Sequence, residues 1–403
     1  MHMKKPDLLL LTHRIPYPPN KGDKIRSWFL LKNLCENWTV HLGCFVDDPD
    51  DLQHVEFLQN MTASSVIVEI DPGRAKLKSL TGLLSGEALS LTFYRSKKMS
   101  DFVAQVRAAN DIKVQMAFSS GVAPFLMPSE IPTVIDFCDS DAEKWRAYGQ
   151  QRKGLGAFIY GREANILARK EREFQNQASH SFAITKAEAD IFNDREGVET
   201  RVDYWENGVD THYYDPDADF ENADVGRNDL VFVGAMDYAP NIEGVSWFCE
   251  TIWPSLKQRY PALTFAIVGS KPTRKVEQLG QLDGVKVTGR VEDVRPWLQS
   301  AKLVVTPLLV ARGIQNKVLE AMAMAKPVIS SQAAATGIHA LVREEICVTQ
   351  NGEDMISQIA EFLENPDKAA KIGHAARQRV VRDYSWPAKL ERLDKCLHGL
   401  IER

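Results

Sequence analysis

Three residues in the stretch "ARGIQNKVLEAMAMAKPVIS" (311–330) have the types and spacing to hold an elongated anionic ligand: Arg312, Lys317 and Glu320. Gly313 can open a helix whose free backbone N–H groups and dipole attract phosphate. The two cations would add charge there. From Arg312 to Glu320 an α-helix advances about 12 Å, so the two side chains can meet opposite ends of one ligand. A carboxylate accepts paired hydrogen bonds from vicinal hydroxyls. A phosphate near Gly313 and a ribose diol near Glu320 are therefore chemically consistent. Lys317 and Glu320 are equally well spaced for an ordinary i,i+3 pair on a solvated face.

Other candidates lie in the amino half. His13 follows an apolar run, where it can reach a ligand or end a strand as a satisfied histidine. In "NKGDKIR", Gly22 allows a close backbone approach, with Asp23 as an N-cap-like neighbour and Arg26 one turn on. "PTVIDFCDSDAEKW" (132–145) ends an apolar run with Asp136, Asp139 and Asp141. A D-x-D pair can hold a divalent cation, but it recurs elsewhere in this acidic chain. We read Asp139 and Asp141 as a cap for the following helix and expect no metal.

The elements that must position these residues are short apolar runs alternating with helical patterns: "DLLLLT", "TVHLGCF", "SSVIVEI", "KVQMAFSS", "TVIDF" and "HSFAIT". After the polar stretch 213–229 the pattern restarts with "LVFVGAM", "LTFAIVGS", "VKVTG", "KLVVTPL", "KPVIS" and "EICVT". This predicts an α/β fold of two doubly wound parallel-sheet domains, with ligands at the carboxyl ends of the strands. The expected boundaries are 1–206 and 207–384. A terminal amphipathic helix follows at 385–403, with Trp386, Leu390, Leu393 and Leu397 inward.

Composition removes several classes. A net charge of −5 over 403 residues gives no global pull toward nucleic acid. Six scattered Cys and nine His form no disulfide framework or zinc ligand set. The run Leu8–Leu11 is too short for a secretory signal, and no stretch is long and apolar enough to span a bilayer. A cytoplasmic location is expected. Neither G-x-G-x-x-G nor a Walker loop occurs. The stretch 73–98 mixes Leu with Lys and Arg, as in a basic amphipathic helix lying on a membrane or packing its Leu face on the sheet.

The carboxyl half resembles the retaining nucleotide-sugar glycosyltransferases of the GT-B fold (group 1, family 4-like). The resemblance is carried by "WENGVD" (205–210), "VFVGAM" (231–236), "FAIVGS" (265–270), "VKVTGRVEDVRPWL" (285–298) and "VVTPLLVARGIQNKVLEAMAMAKPVIS" (304–330). The form "HRIPYPPNKGDKIR" is similar to exosortase-associated (PEP-CTERM) sugar transferases. The resemblance implies two Rossmann-like domains facing each other across a cleft, acceptor side first and donor side second, with the last helix crossing back to the first. It places donor contacts at Gly22, Asn207, Gly234, Arg290, Val291, Gly313, Ile314 and Glu320, with Glu320 on the ribose.

Two positions depart from the family pattern: Arg312 stands where relatives carry a sugar-contacting Glu, and Cys138 where they carry a His. The usual cations of the first donor-domain loop are missing from "GAMDYAPNIEG". Arg312 and Lys317 would replace them, and with Asp136 and His13 they make up the expected catalytic set. The implied activity is transfer of a sugar from a UDP- or GDP-sugar to a glycan or lipid-linked acceptor in exopolysaccharide or glycoconjugate synthesis. It would use no cofactor and no metal, with peripheral contact to the cytoplasmic membrane face through 73–98. A nucleotide-sugar epimerase of the same build and a noncatalytic nucleotide-sugar-binding partner stand as alternatives.

Overall fold

A computed structural model of the chain describes residues 5–402, apart from 80, 220–224 and 312–313. It divides into two units, Met1–Asn207 with Lys389–Arg403, and Gly208–Ala388. Each is a parallel sheet between helices, the two-domain Rossmann-like α/β class expected.

The first unit is a seven-stranded sheet: β1 (Asp7–Thr12), β2 (Thr39–Val46), β3 (Ser64–Glu69), β4 (Ile112–Phe118), β5 (Thr133–Cys138), β6 (His180–Ala183) and β7 (Val202–Tyr204). The order is β3-β2-β1-β4-β5-β6-β7. The second unit holds β8 (Asn228–Val233), β9 (Phe265–Val268), β10 (Val285–Val287), β11 (Ala301–Thr306), β12 (Val328–Ser331) and β13 (Cys347–Thr349), in the order β10-β9-β8-β11-β12-β13. Each order reverses once, between β1 and β4 and between β8 and β11, which is where such sheets open a binding crevice.

Helices on both faces explain why the strands read as unbroken apolar runs rather than alternating ones. In the second unit Leu230 and Phe232 enter one core while Val231 enters the other, and Phe265 and Ile267 part from Ala266 and Val268 in the same way. In β1 all of Leu8–Leu11 are fully buried.

Three expectations change. The three-residue β7 has too little apolar length to be read from sequence. The stretch 73–98 is not one amphipathic helix but the separate helices Pro72–Ser79, Thr81–Ser85 and Leu89–Phe93, broken at Gly86 with φ +75°. Finally, the helix carrying Glu320 spans Asn316–Ala323, so its first turn begins after Gly313. Arg312 and Gly313 lie outside the described residues. The last helix, Trp386–Ile401, buries Trp386, Leu390, Leu393 and Leu397, and Asp394 accepts a hydrogen bond from Asn33 Nδ2 at 2.8 Å.

Candidate functional site

The carboxyl ends of β1, β4, β5 and β6 enclose a cavity of about 710 Å³ within the first unit. His13, Arg14, Gly22, Asp23, Cys138 and Asn207 are on its wall, together with Asp139, Asp141 and Lys144. A Cβ built on Gly22 would meet nothing within 4 Å, so the helix Gly22–Asn37 starts against open space.

Charges on this wall are fixed by pairing. Arg14 donates to Asp23, and to both Asp47 oxygens at 3.1 and 2.9 Å. His13 stacks on Phe118, with Nδ1 3.3 Å from the Phe118 carbonyl oxygen and Nε2 3.4 Å from Asp23 Oδ2. Both ring nitrogens thus face acceptors belonging to the protein, and neither turns a lone pair toward the cavity. Burial alone would raise the Asp23 carboxyl, but the His13 hydrogen bond and the Arg14 charge outweigh it and hold the group far below the usual range. Burial pushes the neighbouring Tyr94 hydroxyl up to about 12.

Asp136, expected among the catalytic groups, does not reach the wall. It is fully buried. Its oxygens accept from Arg26 Nε at 3.0 Å, Arg26 Nη2 at 3.3 Å and the Cys138 amide at 3.0 Å. Arg26 also donates to the Trp205 carbonyl at 2.9 Å and to Asn207 Oδ1 at 3.1 Å, with its guanidinium 3.2 Å from the Trp205 ring centroid. Two buried charges must satisfy each other, so Asp136, behind the wall, braces Arg26, which lines the cavity and aims Asn207. Burial, with Asp136 nearby, pushes the Cys138 thiol far up, as expected for an inert thiol.

The D-x-D pair is also placed differently from its sequence reading. Ser140 caps the helix Asp141–Gln150, accepting from the Glu143 amide at 3.2 Å. Asp139 pairs with Lys144 at 2.5 Å and Asp141 accepts from the Ser120 hydroxyl at 2.6 Å. No cluster of three or more His, Cys, Asp or Glu fit to hold a metal occurs among the described residues.

Sequence reading missed two buried carboxylates on the long helix Leu155–Gln177. Glu163 accepts from the Leu89 and Ser90 amides, both at 2.8 Å. Glu171, two turns on, accepts from Ser140 Oγ and the Ala142 amide, both at 3.1 Å, and pairs with Arg195 at 2.8 Å. Burial pushes Glu171 up to about 7 against the pull of Arg195. Each holds the start of a short helix that lines the cavity. The available signal was two acids eight residues apart in an otherwise amphipathic helix, which also fits a solvated stripe.

In the second unit the expected residues gather at the carboxyl ends of β8–β11. Gly234 follows β8, where a Cβ would come within 2.7 Å of Asn241 Nδ2 and 3.2 Å of Lys317 Nζ. A Cβ on Gly269, after β9, would sit 1.7 Å from the Gly234 carbonyl oxygen, so these two loops touch backbone to backbone. Lys317 donates to Asn241 Oδ1 and lies 4.9 Å from the Phe232 ring centroid. Burial lowers its ammonium to about 8 despite the nearby Glu320 charge. Glu320 is pushed up to about 7 by burial, opposed by the Lys317 charge and a hydrogen bond with Tyr214.

The β10 loop places Gly289 at φ +69°, with Arg290 exposed and Val291 packed on the core beneath. Ile314 packs on the same core. The structure thus brings Gly234 and Lys317 together, with Glu320 coupled to Lys317, and leaves Arg290 pointing to solvent.

Residues 227–365 match the family model described as glycosyl transferases group 1. The match falls within the second unit. No curated protein matches the chain. Among solved structures, sucrose-phosphate synthase from Thermosynechococcus elongatus aligns over 98% of this chain and 99% of its own, at 15% identity and a TM-score of 0.62. The Anabaena protein Alr3699/HepE, in complex with UDP, aligns over 98% and 100% at 15% identity and the same TM-score of 0.62. A glycosyltransferase from Rickettsia africae aligns over the whole of both chains at 12% identity, with a TM-score of 0.62. At these identities the likeness is one of fold, and that fold is GT-B.

Proposed function

We propose that the chain is a glycosyltransferase that moves a sugar from a nucleotide-diphosphate donor to a glycan or lipid-linked acceptor, with retention at the anomeric carbon. One observation carries this reading. Within the matched residues 227–365, the partly buried Glu320 carboxylate is coupled to Lys317, beside two loops whose backbones approach as closely as glycine allows. Glu320 would receive the ribose hydroxyls and position the donor. Lys317 would stabilise the charge that grows on the diphosphate as the anomeric bond breaks. Arg312 keeps the phosphate role argued from sequence; the helix whose free amides would join it opens at Asn316 rather than at Gly313.

The Anabaena structures of the same fold, described with UDP and with UDP-glucose, favour UDP over GDP as the carrier. The first unit's cavity, ringed by hydroxyls, carboxylates and aromatic side chains, suits a polar acceptor. Exopolysaccharide or glycoconjugate synthesis is the setting we assign.

A second reading, a noncatalytic nucleotide-sugar binder, is favoured by the engagement of both His13 nitrogens and of Asp136 with the protein itself. Calorimetric titration of a nucleotide-sugar panel, followed by assay of donor turnover, separates the two. Binding with slow hydrolysis or transfer supports the enzyme, and binding without turnover supports the second reading. If no nucleotide sugar binds, both fail.

A further inference from the structure

Leu77 and Phe158, at 72% and 71% exposure, are the two most exposed large apolar side chains among the described residues. Nothing in the transfer reaction uses them. Single exposed apolar residues are ordinary, but these two belong to elements that are tied together. Phe158 lies one turn before Arg162 on the same helix face. The Arg162 guanidinium donates to the Gly82 carbonyl at 2.8 Å and the Glu87 carbonyl at 3.2 Å. The Phe158 face therefore runs past the 82–87 segment, where Leu83 is also exposed. Glu163, the next residue, holds the Leu89 and Ser90 amides. Leu77 stands on the helix that packs against Leu89–Phe93.

The same edge is rich in aromatic and basic groups. Tyr148, 55% exposed, meets Trp145 edge-on, Trp145 contacts Tyr160, and Arg152 lies over the Tyr160 ring. Lys76, Lys78, Arg152 and Lys153 are exposed and form no ion pair among the described residues. Exposed Phe and Leu beside Tyr and Trp, with basic heads on long stems that are outside the ion pairs of the described residues, match the boundary of an anionic bilayer. The apolar groups enter the acyl region, the aromatic groups sit at headgroup level and the cations meet lipid phosphate.

We infer that the edge formed by 76–79, 81–83 and the helical hairpin around 148–160 is a docking surface for an anionic lipid bilayer. It differs from a single amphipathic helix over 73–98, because half of it comes from the hairpin and the two halves are joined by Arg162 and Glu163. Lys76, Leu89 and Phe93 on one side and Lys144 and Trp145 on the other also line the first unit's cavity. Seating this edge brings the cavity rim to the headgroups, where a lipid-linked acceptor presents its sugar. The docking surface stands whether or not the donor reading holds.

Flotation of the full chain with vesicles tests it. The vesicles are phosphatidylcholine alone, or phosphatidylcholine with an equal part of phosphatidylglycerol, at low and high salt. The chain is expected to float with the anionic vesicles at low salt and to be released by salt. Each basic residue near such a surface contributes about fivefold, so Arg152→Glu with Lys153→Glu should cut partitioning at least about tenfold. Leu77→Ser with Phe158→Ser should cut the salt-resistant part, and both pairs should keep wild-type melting and donor binding. Absence of binding to anionic vesicles, or binding that survives both pairs, overturns the inference. So does a change in elution volume on gel filtration with unchanged vesicle binding, which would make the edge a self-association face.

Discussion

Glu320 and Lys317 titrate close to each other, near 7 and 8, because burial pushes the acid up and the base down. Ribose recognition needs the ionised carboxylate, so donor affinity should rise as pH passes about 7. Charge on the diphosphate needs the ammonium, so affinity should fall above about 8. Calorimetry across pH should therefore trace a bell whose acid limb disappears in Glu320→Gln. That variant should bind roughly 10- to 100-fold more weakly, the worth of charge-assisted hydrogen bonds, and unchanged affinity would remove Glu320 from the ribose role. Asp136 makes a different demand. Asp136→Ala leaves the Arg26 guanidinium buried without its carboxylate, at a cost of about 3–5 kcal/mol, readable as a lower denaturant midpoint. Similar stability to wild type would mean that Arg26 finds another partner.

Among the elements, the long helix Leu155–Gln177 organises the cavity, since Glu163 and Glu171 hold the first turns of two helices that line it. Replacing either by Ala removes the acceptor of buried donors, and each loss should cost about 1–3 kcal/mol. Hydrogen exchange offers a local readout: Leu89 and Ser90 amides should lose protection in Glu163→Ala and keep it in Glu171→Ala. Glu171 also carries a pH signature. Its folded-state value, raised to about 7, means the native state holds the proton more tightly than the unfolded chain. Its contribution is complete below the ordinary glutamate range and is lost as pH rises toward 7. Glu171→Gln should flatten that part of the stability–pH curve, and an unchanged slope would place the titration elsewhere.

At the scale of the molecule, each unit has its own apolar core on both faces of its own sheet. Nucleotide sugar at one hundred times its dissociation constant should stabilise the second unit by about 2.7 kcal/mol, a rise of roughly 5–10 °C for a domain of this size. Scanning calorimetry should show the shift in that unit's transition alone. An equal shift in a single transition would mean the units unfold together.

The sequence by itself determined the two parallel sheets, because strands buried on both faces must be continuous apolar runs and the helices between them must carry a 3.6-residue period. It also marked Glu320, through its spacing from the basic residues of its own stretch, whereas Gly234 was marked only by the family resemblance. Only the tertiary structure decided which charges face a ligand. Asp136 and Arg26 are far apart in sequence, yet each is the other's partner, and His13 is held by Phe118 and Asp23. Glu163 and Glu171, which sequence reading passed over, hold the cavity's walls. A charge's role depends on what burial makes it pair with, and pairing across a sheet has no sequence period to reveal it.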